Sequence, residues 1–194
     1  MSEDCSIVRM DASMDVSVFS CGDSDLDEFF CRDAMLYSKQ MLGKTYVVTT
    51  NTEPYKLIAM FTLSNDSIKS ALIPKSSRNK IQRKIPNSKR TRSYPAVLIG
   101  RLGVSQTFHG LKIGSQILDY LKYLFAKDSN LTGCRFLVVD AYNHVRTLNF
   151  YERNGFQFLY ETEDLERKAY NISEDESLYS RMMYYDLMRI KDKL

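Results

Sequence analysis

Between Ala96 and Gln116 the chain reads AVLIGRLGVSQTFHGLKIGSQ, and few architectures accept that order. An apolar run of strand type, Ala96 to Val104, passes through a short polar connection into a helical pattern that starts beside two glycines, Gly110 and Gly114. A strand that feeds a helix through a glycine-bearing turn leaves the first helical N–H groups without partners and aims the positive end of the helix dipole outward. Such a turn is an anion site, and phosphate is the anion it suits best.

The rest of the chain supplies alternating strand and helix patterns around this turn. Ser6 to Met10 has the composition of a first strand. From Ser24, with Asp27 three residues on as a capping-box variant, Leu26, Phe29, Phe30, Ala34, Tyr37 and Met41 recur at helical spacing until Gly43. Lys44 to Asn51 and Tyr55 to Leu63 read as a hairpin broken at Thr52-Glu53-Pro54. A short helix is allowed at Ser77 to Ile85, and Pro95 marks the entry to the next strand. Beyond Ile113, positions Ile117, Leu118, Leu121, Leu124 and Phe125 form one helix face. Phe136 to Asp140 reads as a buried strand, and Asn143 to Asn154 as a helix stopped by Gly155. Phe156 to Tyr160 follows as a strand, Glu161 to Ser177 as a loop or surface helix, and Leu178 to Ile190 as the last strand. This order specifies an α/β fold with a mixed sheet and crossover helices, folded as a single domain over 1–194 with a basic surface excursion at about 69–94.

Charge is unevenly placed along that order. Residues 67–118 hold eleven of the 27 lysines and arginines and none of the 24 acidic residues, so the segment carries +11 in a chain of net charge +3. The segment is either a solvated loop or a surface for a polyanion. Four scattered cysteines without a C-x-x-C pair, and only His109 and His144, argue against a zinc site or a disulfide framework. No apolar run is long enough to span a bilayer, and the opening MSEDCSIVRMD lacks the pattern of a signal peptide, so a cytoplasmic protein without membrane partners is expected.

Two familiar phosphate motifs fail on spacing. A P-loop requires four residues between its glycines and a lysine after the second, whereas here three intervene and Ser115 follows. The dinucleotide fingerprint G-x-G-x-x-G is also missing. The stretch Leu98-Ile99-Gly100-Arg101-Leu102-Gly103-Val104, followed by His109-Gly110-Leu111-Lys112-Ile113-Gly114, instead resembles the acyl-CoA-binding signature [Q/R]-x-x-G-x-[G/A] of the GNAT N-acetyltransferase family. Val138-Val139-Asp140-Ala141 and Asn149-Phe150-Tyr151-Glu152-Arg153-Asn154-Gly155-Phe156 resemble that family's fifth strand and terminal FYE-x-x-GF. Phe19 to Phe29 and the Gly100-Arg101-Leu102 triplet resemble the subgroup that includes toxins acetylating aminoacyl-tRNA. His109 stands where glutamine or arginine is usual, Lys112 replaces a glycine, and Asp140 to Tyr151 is one residue longer than the toxin pattern.

The resemblance implies a GNAT fold, a mostly antiparallel sheet with a V-shaped splay between strands four and five. It implies acetyl-CoA as co-substrate, held by main-chain groups of Leu102, Gly103 and Val104 along the pantetheine arm. N–H groups of His109, Gly110, Leu111, Lys112, Ile113, Gly114 and Ser115 would hold the pyrophosphate, and Asn143 is carried over as a further CoA contact. Tyr151 is the expected catalytic acid for the departing thiolate; the bland alternative is a core tyrosine with a satisfied hydroxyl. The strand through Arg101 has no carboxylate to act as base, which leaves a water relay, His109, His144 or an amine already neutral. The function expected is direct N-acetyl transfer to a primary amine, with the α-amine of aminoacyl-tRNA, a protein amine and a small amine as acceptors. A catalytically silent CoA- or partner-binding module is the alternative. Charged tRNA bound through the basic 69–92 segment, a second copy of the chain and an antitoxin are the partners the resemblance suggests, and no metal is expected.

Overall fold

The runs of β-branched and aromatic residues after Gly43 form the expected hairpin. Strand β2 (Lys44–Thr50) pairs antiparallel with β3 (Leu57–Lys69), Tyr46 opposite Phe61 and Val47 opposite Met60. β3 runs past Leu63, the expected end of the second hairpin strand, through Ser64, Asn65 and Asp66 to Lys69. Every residue from Ile58 to Leu63 is buried, as a strand covered on both faces requires, and the one hydroxyl among them, Thr62, shares a hydrogen bond with Thr45 at 2.9 Å.

The computed structural model describes residues 5–82, 85, 86 and 92–191. They form two compact units, Met1–Asn65 with Ile99–Leu124 and Asp66–Leu98 with Phe125–Leu194. In the first, the order is β1 (Cys5–Arg9), β2, β3 and β4 (Ser93–Val104). In the second, β4 is followed by β5 (Phe136–Tyr142), then β7 (Ser180–Asp186), then β6 (Gln157–Phe158). β4 and β5 pair in parallel, while β1–β2, β2–β3, β5–β7 and β6–β7 are antiparallel. This is the mixed sheet with flanking helices that the element order specified. The β4–β5 register covers only Ala96 to Leu98 against Phe136 to Val138, so Ile99 to Val104 continue without a β5 partner.

One expected helix becomes three segments: α1 (Ser24–Glu28), a π-helical stretch at Phe29–Asp33, and α2 (Ala34–Lys39). The wider π turn lets the consecutive Phe29 and Phe30 both face inward, where a regular helix would rotate one of them outward. They pack with Met10, Val16, Phe19, Ala34, Val47 and Met60 to form the core of this unit. The cap also differs from the capping box read in sequence. Asp23, not Ser24, is the N-cap and accepts from Leu26 N at 3.1 Å, while Asp27 reaches back to Cys21 N and Ser20 Oγ, both at 2.7 Å.

In the second unit, Tyr94, Ala96, Phe136, Val138, Tyr160 and Tyr184 pack with Ile68, Ile73 and Ile81. Ile81 comes from α3 (Lys75–Gln82), the short helix allowed in the basic excursion. Of that excursion's cations, Arg83, Lys84, Lys89 and Arg90 lie outside the described residues. The acidic stretch after Glu161 contains α6 (Glu163–Tyr170). Its ends carry their own signals: Thr162 caps Leu165 N, acidic residues fill the first turn, Arg167 and Lys168 the last, and Asn171 closes it in left-handed conformation at φ 56°. The remaining helices are α4 (Ile113–Ala126), α5 (Val145–Arg153) and α7 (Met188–Lys191).

α6 also buries a charge. Glu166, 1% exposed, accepts from Arg181 Nε and Met182 N, each at 2.6 Å, and Arg181 Nη2 donates to the Tyr160 carbonyl at 3.1 Å. Burial pushes the Glu166 carboxyl up against the opposing pull of these donors. Removing the cation strands a buried carboxylate, so Arg181→Leu is expected to cost about 3–5 kcal/mol. Thermal unfolding should fall by roughly 10 °C in a chain of this size, whereas a surface control, Arg32→Leu, should shift it by a fraction of that.

Candidate active site

The turn after β4 is anchored on both sides before it reaches α4. Ser105 N donates to the Ile58 carbonyl at 2.9 Å, and Gln106 donates from its N to Ser20 O at 3.0 Å and from Nε2 to Ser20 Oγ at 3.1 Å. A 3-10 turn at Gln106–Phe108 follows. His109 then folds back and donates from Nε2 to the Val104 carbonyl at 2.8 Å. That bond commits one ring nitrogen of a sequence-level base candidate to holding the turn.

Beyond His109 the chain turns on two left-handed residues, Gly110 at φ 80° and Lys112 at φ 59°. Gly110 is the usual solution, since an L side chain resists this conformation; Lys112 adopts it with a full side chain, and the strain is local. α4 starts at Ile113, one residue before Gly114, and its first backbone bond to a residue outside the helix is Gln116 N to Lys112 O at 3.1 Å. The six consecutive N–H groups from Gly110 to Ser115 donate to no protein acceptor among the described residues. Backbone donors gathered at a helix N-terminus after left-handed residues make an anion-binding concavity. No acidic residue lies in this segment, and Lys112 is exposed beside it.

On β4 itself, Gly103 allows a close approach. A Cβ there would lie 3.1 Å from Cys21 Sγ and from Phe30 Cε2. The Arg101 guanidinium sits 4.0 Å over the Phe29 ring and 5.8 Å from that of Tyr37, so this cation is engaged in stacking. An open groove of about 860 Å³ runs beside the turn, lined among others by Phe19, Val47, Tyr55, Leu57, Ser105 and Phe108. Burial, reinforced by Asp27, pushes the Cys21 thiol up to about 12, and burial pushes Cys134 to about 11. Neither thiol is poised as a nucleophile.

In the second unit, α5 ends in a motif that fixes Tyr151. Gly155 takes φ 81°, Gly155 N donates to Glu152 O at 2.8 Å, and Phe156 N donates to Tyr151 O at 3.0 Å, the paired bonds of a Schellman motif. The Phe150 and Phe156 rings meet Tyr151 with centroids 5.0 and 5.5 Å away. The FYE-x-x-GF sequence is thus a helix stop that clamps one phenol. Its hydroxyl has no hydrogen-bond partner among the described residues, unlike the satisfied hydroxyl of a structural core tyrosine, and burial raises its pKa. Asn143 is committed elsewhere: its side chain donates to Glu163 Oε1 at 3.2 Å and to Leu178 O at 3.0 Å. His144 stands at the N-cap of α5 without a side-chain capping bond, its ring 6.3 Å from Tyr142.

Residues 82–158, from the end of α3 through β6, match the family model of the acetyltransferase (GNAT) domain. Over that stretch the chain is similar to the GNAT acetyltransferases. Solved structures share its fold over nearly the whole length. A tyrosine-to-phenylalanine mutant of KacT matches with TM-score 0.74 at 20% identity, covering 99% of this chain and 100% of that one. AtaT complexed with acetyl-methionyl-tRNAfMet matches with TM-score 0.73 at 21% identity, covering 98% and 99%. AtaTR bound with AcCoA matches with TM-score 0.71 at 21% identity, covering 99% of each.

Among the described residues, no group of three or more His, Cys, Asp or Glu side chains could hold a metal ion. No described helix is long and apolar enough to cross a membrane. Sequence reading missed the π turn, the His109–Val104 bond and the left-handed Lys112; only the last had a visible trace, the lysine in a glycine slot. The two left-handed positions predict opposite responses. Gly110→Ala meets open space, so its cost is backbone strain alone, about 1 kcal/mol. Lys112→Gly removes such strain and should raise stability by about 0.5–1 kcal/mol, read by denaturant unfolding.

Proposed function

We propose that this GNAT acetyltransferase moves an acetyl group from acetyl-CoA to the α-amine of an aminoacyl-tRNA by direct attack in a ternary complex. The observation that carries the donor side is the row of unpartnered N–H groups from Gly110 to Ser115, a receptor for a pyrophosphate. Ahead of it, Leu102, Gly103 and Val104 belong to a strand end without a β5 partner, and such an edge suits an extended amide-bearing arm such as pantetheine. The solved AtaTR complex with AcCoA supports the same donor.

Tyr151 is assigned the proton for the departing thiolate. Burial keeps this unpartnered phenol protonated, so it has a proton to share with the sulfur as the C–S bond breaks. The raised thiol pKa values disfavour a covalent acyl-cysteine, which supports direct transfer.

For the acceptor, the acid-free segment from 67 to 118 favours a polyanion. Among the described cations, Lys69, Lys75, Arg92 and Lys112 are exposed. Arg78 serves the fold instead, donating to Ile73 O at 3.1 Å. The α-amine of an aminoacyl ester is less basic than a lysine amine and needs less help to become nucleophilic. AtaT solved with acetyl-methionyl-tRNAfMet, and AtaT with the C-terminus of the antitoxin AtaR, support a charged-tRNA acceptor and an antitoxin partner for this chain as well.

Labelled acetyl-CoA incubated with separate pools of charged tRNA, protein and small amines tests the reading. Label should enter the aminoacyl group of tRNA; label in another pool would replace the acceptor, and label in none would end the enzymatic reading. Tyr151→Phe should bind acetyl-CoA as wild type does and turn over about 10²–10⁴-fold more slowly; an unchanged rate would remove Tyr151 from the chemistry.

A further inference from the structure

The loop that leads into α1 closes around one carboxylate. Asp27 Oδ1 accepts from Cys21 N and Asp27 Oδ2 from Ser20 Oγ, both at 2.7 Å. Burial raises this carboxyl, but the donors of Cys21, Ser20 and Gly22 outweigh it, so Asp27 titrates below the ordinary carboxylate range and stays ionised. Gly22 takes φ 86° to complete the loop.

The same loop braces the end of β4 at two points, all within the first compact unit. Gly103 packs so closely that a Cβ there would lie 3.1 Å from Cys21 Sγ. Gln106 then donates twice to Ser20, from N to O at 3.0 Å and from Nε2 to Oγ at 3.1 Å. A hydroxyl has one proton to give. Ser20 gives it to Asp27 and so turns a lone pair towards Gln106. Gly22 closes the other side, since a Cβ on it would lie 3.1 Å from Gln106 Nε2. Gln106 is exposed, and fixing an exposed amide side chain costs entropy that a solvated turn could avoid. Gln106 opens the 3-10 turn that leads to the open N–H groups of Gly110 to Ser115.

We propose that Asp27 is a positioning residue of the acetyl-CoA site: through Ser20 it holds Gln106, and with it the turn that presents those N–H groups, in the conformation that binds. This rests on the donor half of the function proposed above. The apparent dissociation constant of a ligand rises as the binding-competent fraction of the protein falls, so loosening the turn weakens acetyl-CoA without touching the donors themselves. No hydrogen bond joins Asp27 to Gln106 among the described residues, so the effect of Asp27 on the turn passes through Ser20. Linkage is reciprocal: acetyl-CoA that selects the held turn also orders the loop from Ser20 to Asp27.

Calorimetric titration of the full-length protein with acetyl-CoA, beside thermal unfolding without ligand, tests the assignment, and neither measurement depends on the acceptor. Ser20→Ala, Gln106→Ala and Asp27→Asn should each weaken acetyl-CoA binding by about 3–10-fold, the effect of one hydrogen bond on the held fraction. Ser20→Ala combined with Gln106→Ala should lose no more than the weaker-binding single variant, and Asp27→Asn should couple to Gln106→Ala in the same way. Ser20→Ala and Gln106→Ala leave the Asp27–Cys21 bond in place, so they decide the matter where Asp27→Asn unfolds. In acetylation assays the KM for acetyl-CoA should rise while kcat holds. Acetyl-CoA should slow hydrogen exchange at Cys21 N in wild type and leave it unchanged in Ser20→Ala. Wild-type affinity in Ser20→Ala and Gln106→Ala, with only the unfolding temperature lowered, makes the loop purely structural; it overturns the inference and leaves the proposed function standing. Losses that multiply in the double variants overturn it as well. Wild type that binds no acetyl-CoA ends the donor reading and this inference together.

Discussion

The parallel pairing of β4 with β5 lasts three residues, Ala96 to Leu98 against Phe136 to Val138, and the free strand end beyond it depends on that brevity. Dry backbone N–H and C=O groups are costly, so a strand end released from its neighbour must meet water or an extended polar ligand. The β4 segment from Ile99 to Val104 is such an end. Gly103 lets this stretch lie against Cys21 and Phe30 without a clash. Had the pairing run the full length of both strands, Leu102 to Val104 would have had no edge to offer.

The turn that follows stores strain where it is useful. His109 ties back onto Val104, Gln106 ties onto Ser20, and the chain then turns left-handed twice before α4 begins. Those constraints hold six N–H groups from Gly110 to Ser115 open, an arrangement stabilised by an anion and otherwise satisfied by water. Lys112 in a left-handed slot gives up some stability and places a cation beside the donors. The second unit handles its polar groups in the opposite way. Glu166 is fully enclosed and answered by Arg181 and Met182 N.

Much of this was legible in the residues themselves. Gly110 and Gly114 after an apolar strand announced the turn, and Phe150 to Phe156 announced a helix stop with one tyrosine in it. Local patterns carry such information because caps, left-handed glycines and helical or strand periodicity act over a few residues. The chain by itself therefore determined the alternation of elements, the anion-binding turn and the placement of Tyr151 at a Schellman stop. Tertiary structure alone decided the rest: where β4 leaves β5, that Asp23 and not Ser24 caps α1, that a π turn buries both Phe29 and Phe30, and that Asn143 is spent on Glu163 and Leu178. It also brought Asp66 and Asp140, 74 positions apart in the chain, within reach of each other's charge. The physical reason is that these outcomes turn on contacts between distant segments, and residue spacing along one segment does not encode which strand its neighbour will be.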